Sequence, residues 1–252
     1  EYHDHTSHQV WVRFGVVAGV LAEWMRTGAE TVGYLGSGGK AMNLSESLKN
    51  ASVVIWTTTP WTIPQNRAVD FNPDVSYGIY EVLTVGEGSS AKVGERLLLA
   101  DNLADAAFSA ARVETHRRVR EVYAEALQAL TLAHPFRGID GAGGEWDYDV
   151  PMLPGEHVTD DAGTGFVHTA PSHGDDDYQL GLKHGLPMTY NVEPDGSYRA
   201  DLPLFGGQAI ILADGKEGPA NVSVIKQLAY AGALFAKGTL KHSYPHSWRA
   251  KA

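Results

Sequence analysis

A mainly β fold with peripheral helices is what this 252-residue sequence predicts, and three observations carry it. Short β-prone runs bounded by Gly, Pro, Asn or Asp recur along the chain. Only two segments combine a helical period with start and stop signals. No linker, internal repeat or low-complexity tract divides the sequence, so residues 1–252 read as one domain. Taken in order, Gln9 to Val17 reads as the first strand. From Arg26 to Asn50, Gly28, Gly33, Gly36, Gly38 and Gly39 stand among few large apolar residues, so 26–50 reads as an irregular glycine-rich insertion. Ser52 to Thr57, with its Val53-Val54-Ile55 run, reads as a buried strand, followed by strands over Ser76 to Val85 and Glu95 to Leu99. A short helix begins near Asp101 on Leu103, Ala107 and Ala110, and from Arg112 to Leu130 helix formers and β-branched residues mix without a clear period. Gly165 to Thr169 is a further strand, Asp175 to His184 a helix closed by Gly185 and Pro187, Gln208 to Leu212 a strand, and Ala220 to Phe235 a helix stopped near Gly238.

Composition narrows the function. Lys and Arg number 20 against 30 for Asp and Glu, a net charge of −10. That balance argues against holding nucleic acid mainly by backbone neutralisation, so any nucleic-acid contact is local. With no cysteine there is no disulfide, thiolate nucleophile or Cys-bound zinc, which fits a reducing cytoplasm. The longest apolar runs fall far short of the roughly 18 residues that span a bilayer, and no signal peptide is recognised, so no membrane association is expected.

Two stretches concentrate chemistry. The first runs Trp56-Thr57-Thr58-Thr59-Pro60-Trp61-Thr62-Ile63-Pro64-Gln65-Asn66-Arg67-Ala68. Pro60 cannot donate to a ladder, so the threonines lie where a strand leaves its sheet, and their hydroxyls can face a cleft. Thr is also simply a good strand residue. The second runs from Asp160 through Gly163-Thr164-Gly165, His168 and His173 to Asp175-Asp176-Asp177-Tyr178. Acid at a helix start is favoured by the dipole, by about 0.3–1 kcal/mol, which accounts for Asp175 and Asp176 without a function. Three successive aspartates point in different directions around a helix, so one of them, Asp177 above all, is expected to face the strand ending at His168. His168, His173 and the aspartates permit a metal reading, but they lack the His-Glu-x-x-His spacing, and His3, His5 and His8 read as a solvated strand end. There is no Gly-x-Ser-x-Gly elbow, P-loop or dinucleotide fingerprint.

Together, the run at 56 to 68 and the Gly-Thr-Gly-x-Val-His-Thr-Ala-Pro-x-His-Gly-x-Asp-Asp-Tyr run at 163 to 178 resemble the editing domains of the isoleucyl-tRNA synthetase family. Thr59 stands where related valine and leucine editing domains carry Arg. Val10 to Phe14, Ala133-His134-Pro135-Phe136 and Tyr244-Pro245-His246-Ser247-Trp248-Arg249 extend the likeness through almost the whole chain. The resemblance implies a closed, roughly six-stranded β-barrel with helices around it, excised from a larger cytoplasmic enzyme. Neither His-Ile-Gly-His nor Lys-Met-Ser-Lys-Ser type signatures occur, so no aminoacylation is expected from this stretch. ATP and Mg would serve only the absent synthetic core, and editing would need no cofactor and no metal.

What the resemblance implies chemically is hydrolysis of valyl-tRNA(Ile) and of valyl-adenylate, with the valine-bearing acceptor end and the rest of the synthetase as partners. One methylene is worth only about 1–3 kcal/mol in a hydrophobic pocket, a limit for which isoleucyl enzymes are the standard illustration, so a second sieve is needed. Carried over, Asp177 would bind the α-ammonium. Thr57, Thr58 and Thr59 would contact the ester and terminal ribose, with Trp61 and Asn66 as further substrate-binding residues. His168 would bound the side-chain pocket, and whether it also acts as general base is left open; Thr57, Thr58, His168 and Asp177 are the catalytic candidates. Two other classes remain: a non-catalytic module binding aminoacyl groups or the tRNA end, and a metal-dependent hydrolase using His168, His173 and Asp177.

Overall fold

The computed structural model describes residues 2–17 and 44–245. The central part of the glycine-rich insertion and the Ser247-Trp248-Arg249 stretch therefore lie outside the described residues. Its strands are β1 (Tyr2–Gly15), β2 (Ala51–Thr57), β3 (Ala68–Phe71), β4 (Tyr77–Val85), β5 (Arg96–Ala100), β6 (Val113–Val122), β7 (Thr131–Ala133), β8 (Asp149–Pro154), β9 (Phe166–Thr169) and β10 (Leu234–Pro245). Its helices are α1 (Leu44–Leu48), α2 (Ala104–Ala110), α3 (Ala124–Gln128), α4 (Asp175–His184) and α5 (Ala220–Tyr230).

Two sheets result, one in the order β10-β1-β2-β5-β4-β6 and one in the order β7-β8-β3-β9. The Val53-Val54-Ile55 run is apolar without alternation because each face of β2 meets a different core. Val53 and Ile55 belong to the larger core, shared with Val69, Phe71, Met152 and Phe166 of the second sheet. Val54 belongs to a smaller core with Ala104, Ala107 and Phe108 of α2 and Phe235 of β10. Leu97, Leu98 and Leu99 of β5 divide in the same way, Leu98 to the larger core and its neighbours to the smaller. Continuous apolar runs are what strands buried on both faces require.

This layering overturns the expected closed barrel. Neither sheet closes: β10 and β6 are the edges of the first, β7 and β9 those of the second. The sheets meet at the isolated bridge between Val16 and Leu132 and through packing of β2 on β9. With both faces of the central strands already covered, no face is left to line a lumen. The β6 edge, which closure would have to pair, carries Glu114, Arg117, Arg118 and Glu121 in exposed positions, the charged pattern that keeps an edge strand unpaired.

Other expectations change at particular residues. Gln208 to Leu212 forms only isolated bridges, Ser197 with Ala209 and Ile211 with Glu217. Its backbone is satisfied by turns, such as Ile210 N–H to Gly196 O at 2.9 Å, and Ile211 and Leu212 stay 59% and 42% exposed. The last helix ends at Tyr230 rather than Phe235: Gly232 turns the chain at φ 71°, and Leu234 onward pairs with β1. The undecided stretch from Arg112 to Leu130 is β6 followed by α3. Strands β3, β7 and β8, of three to six residues, went unrecognised in the sequence.

Candidate functional site

Where β2 ends, Pro60 and Pro64 start and interrupt a single 3-10 turn over Pro60–Gln65, which carries the chain from the first sheet into β3 of the second. The turn is held from several sides. The Thr59 N–H donates to Thr57 Oγ1 at 3.0 Å, and the Thr62 hydroxyl donates to Thr59 O at 2.8 Å. The Trp61 N–H donates to Asn221 Oδ1 of α5, and the Tyr198 hydroxyl donates to Trp61 O at 2.5 Å. Thr58 and Thr59 are half-buried, and their hydroxyls have no partner among the described residues.

The second motif enters through Gly163-Thr164-Gly165. Gly165 has φ 79°, and a Cβ there would lie 2.3 Å from the Ala100 Cβ, so both its conformation and its space require glycine. Side-chain contacts then join the motifs: His168 Nε2 lies 2.9 Å from Thr62 Oγ1, and the His173 ring meets Trp61 edge-on at 5.0 Å. The Thr62 proton is already given to Thr59 O, so Nε2 of His168 is the donor. Its Nδ1 then accepts from Asn66 Nδ2 at 3.4 Å, and Asn66 Nδ2 also donates to Ala68 O at 2.7 Å. This network assigns the neutral Nε2–H tautomer. His168 is only 9% exposed, and burial pushes its pKa down to about 4, with the nearby His173 adding to the effect.

Asp177 lies in the first turn of α4, whose N-cap is Gly174 and which has no side-chain cap. Its Oδ2 accepts the Ala170 N–H at 2.8 Å, so this aspartate does face the end of β9, while Asp175 and Asp176 are exposed. The Asp177 Oδ1 accepts no hydrogen bond from a described residue. Burial raises its pKa above the ordinary carboxylate range against the Ala170 bond, and Asp70 adds to the rise.

The structure thus brings Thr57, Thr59, Asn66 and His168 into one hydrogen-bonded network, places Trp61 on the His173 loop, and ties Asp177 to the same strand end. Sequence reasoning missed His134, buried at the base of the 3-10 turn. Phe136 N–H donates to its Nδ1 at 3.1 Å, leaving Nε2–H to donate to Ile63 O at 3.0 Å, and burial lowers its pKa to about 3. It also missed Asp70 and His157, which no spacing connects.

No protein-family model matches the chain. The isoleucine–tRNA ligase of Caulobacter vibrioides is 46% identical over 263 residues, covering all of this chain and 24% of that enzyme. The chain is a homologue of a segment of isoleucine–tRNA ligase. The ligases of Bradyrhizobium diazoefficiens and Ruegeria pomeroyi, at 43% and 45% identity, likewise match 100% of this chain, which spans about a quarter of these relatives' length. Among solved structures, a P. falciparum cytosolic leucyl-tRNA synthetase editing domain matches at TM-score 0.45 and 13% identity, over 71% of this chain and 67% of its own. A P. knowlesi counterpart matches at TM-score 0.47 and 12% identity, over 73% and 66%.

In this chain the motif side chains of Thr62 and Asn66 each hydrogen-bond His168. Both ring nitrogens of His168 are engaged by protein groups. No group of three or more His, Cys, Asp or Glu among the described residues is placed to hold a metal ion. No described helix is long and apolar enough to cross a membrane.

Proposed function

We propose that this chain acts as one editing unit within a cytoplasmic isoleucine–tRNA ligase, hydrolysing the ester of valyl-tRNA(Ile) and clearing valyl-adenylate. One observation carries the reading: Asp177 is held by the Ala170 N–H at the end of β9, and neither its Oδ1 nor the hydroxyls of the half-buried Thr58 and Thr59 have a hydrogen-bond partner among the described residues. A fixed carboxylate suits the α-ammonium of an aminoacyl group. The hydroxyls orient water and the terminal ribose. Water adds to the ester carbonyl carbon, the bond to the ribose oxygen breaks, and valine and a free terminal hydroxyl leave, the proton passing to that oxygen. Positioning and donors for the developing oxyanion supply the acceleration, and an aminoacyl ester needs little more. His168 is the wall of the side-chain pocket in this account. Its Nδ1 lone pair is occupied by Asn66 and its basicity is low, which suits a neutral wall better than a general base.

The deciding experiment is deacylation of valyl- and isoleucyl-tRNA(Ile) by this chain, with and without chelator, beside a no-enzyme control. Valine release that exceeds isoleucine release and ignores chelator is the expected result. Loss of activity in chelator would instead identify a metal-dependent hydrolase using His168, His173 and Asp177. Stoichiometric binding without turnover would identify a binding module.

A further inference from the structure

Near Asp177 the buried Asp70 pairs with the partly exposed His157, a contact that the proposed chemistry does not use. Asp70, on β3, is fully buried; its Oδ2 accepts the Thr169 hydroxyl and lies 3.3 Å from His157 Nε2, while its Oδ1 has no hydrogen-bond partner among the described residues. A buried carboxylate without a compensating cation is costly, so the imidazole beside it belongs in its charged form. In keeping with this, hydrogen bonding to Asp70 raises the His157 pKa, and the charges of Asp70, Asp176 and Asp177 raise it further. The ring has a cradle built for it: a Cβ on Gly155 would lie 2.5 Å from its Cε1, so the chain just after β8 is bare where the imidazole rests.

The pair connects to the site through one residue. Thr169, which bonds Asp70, is followed by Ala170, whose N–H holds Asp177 Oδ2. Thr169 O is itself fixed by the Arg67 N–H at 2.8 Å. The groups whose charge acts on Asp177 come from three segments: Asp70 from β3, Asp176 from α4 and His157 from the loop after β8. His157 is the one cation among them.

We infer that His157, acting through Asp70, is a positioning residue for Asp177: it secures the β9 end that orients this carboxylate, and its positive charge offsets the buried Asp70 so that Asp177 remains an anion able to receive an ammonium group. The inference rests on the editing reading for the identity of that ammonium, though not for the coupling between the charges.

The test compares wild type, His157→Gln, Asp70→Asn and the double variant as full chains. Gln at 157 can still donate to Asp70 but carries no charge. Carboxylate carbon NMR follows the Asp177 titration without any need for turnover. His157→Gln should raise the Asp177 midpoint by about half a unit or more, Asp70→Asn should lower it, and the double variant should return toward wild type. In valyl-tRNA deacylation, His157→Gln should move the acid limb of kcat/KM to higher pH, with a rise in KM confined to that limb, and thermal melts establish that each variant is folded. An Asp177 midpoint and a KM profile unchanged in folded His157→Gln would overturn the inference. A wild-type chain that releases no valine would count against the editing reading instead, leaving the titration to decide this one.

Discussion

At His168, two hydrogen bonds and burial leave a neutral ring whose function rests on shape. If it walls the space beyond a valine side chain, His168→Ala should extend hydrolysis to isoleucyl-tRNA, since one methylene decides the exclusion while Asp177 and the threonines meet groups common to both amino acids. An indispensable base would instead cost both activities, and a ring serving only the core would lower the melting temperature without changing the ratio. Rates on both aminoacyl-tRNAs beside a melt distinguish these outcomes. At Asp177, Asp177→Asn keeps an acceptor for the Ala170 N–H and removes only the charge. Deacylation should fall about 10- to 100-fold, the equivalent of a charged hydrogen bond of roughly 1.5–3 kcal/mol, with the melt nearly unchanged. Wild-type rates in that variant would remove Asp177 from the ammonium role.

Among the elements, the entry to β9 leaves no room for a side chain. Gly165→Ala must place a methyl against Ala100 at a backbone angle that L-residues avoid, so a loss of a few kcal/mol in chemical denaturation is expected, and an unchanged midpoint would show that the turn relaxes freely. At the end of β2, Thr58→Trp should block valine release while leaving the protein folded, because the half-buried Thr58 hydroxyl supports no described contact; retained release would place that side chain outside the pocket. Helix α4 was legible in the sequence to the residue, since Asp175 to Asp177 and Gly185, left-handed at φ 65°, mark both its ends. The β2 run was legible as a buried strand, but only the structure shows that its two faces serve two cores, and from this follows the open, layered arrangement in place of a barrel. The start of β10 was hidden because the apolar residues from Ala220 to Phe235 continue across Gly232 without a change of composition. The site divides in the same manner. Thr57 to Asn66 and His168 to Asp177 stand in dense local motifs, whereas Asp70 and His157 are 87 positions apart and meet only through the pairing of β3 with β8 and β9.

For the molecule as a whole, buried histidines set an acid limit. His134 and His168 have folded pKa values depressed to about 3 and about 4 from 6.5, and His173 is lowered as well. Below about pH 6.5 the unfolded chain therefore binds protons that the folded one refuses, and each of the first two should remove about 1.4 kcal/mol of stability per pH unit until its folded pKa is reached. His157, whose pKa is raised, acts oppositely: its contribution is complete below the unfolded value and is lost as pH rises through the folded one. Urea midpoints should fall steadily from pH 6.5 to pH 4.5, and His168→Gln should flatten the slope. Equal midpoints across that range would contradict the burial of neutral rings.

The pairing of β1 with β10 begins at Tyr2 opposite Pro245 and continues inward to Val12 opposite Leu234. Tension applied between those two outer residues pulls the strands apart sideways, so the cross-strand hydrogen bonds break one after another instead of sharing the load. A force-spectroscopy experiment with handles at residues 2 and 245 should peel this ribbon open at low force up to the irregularity between Trp11 and Val12, before the buried Arg13, bonded to Glu95 and to Leu234 O, brings the rest of the sheet into play.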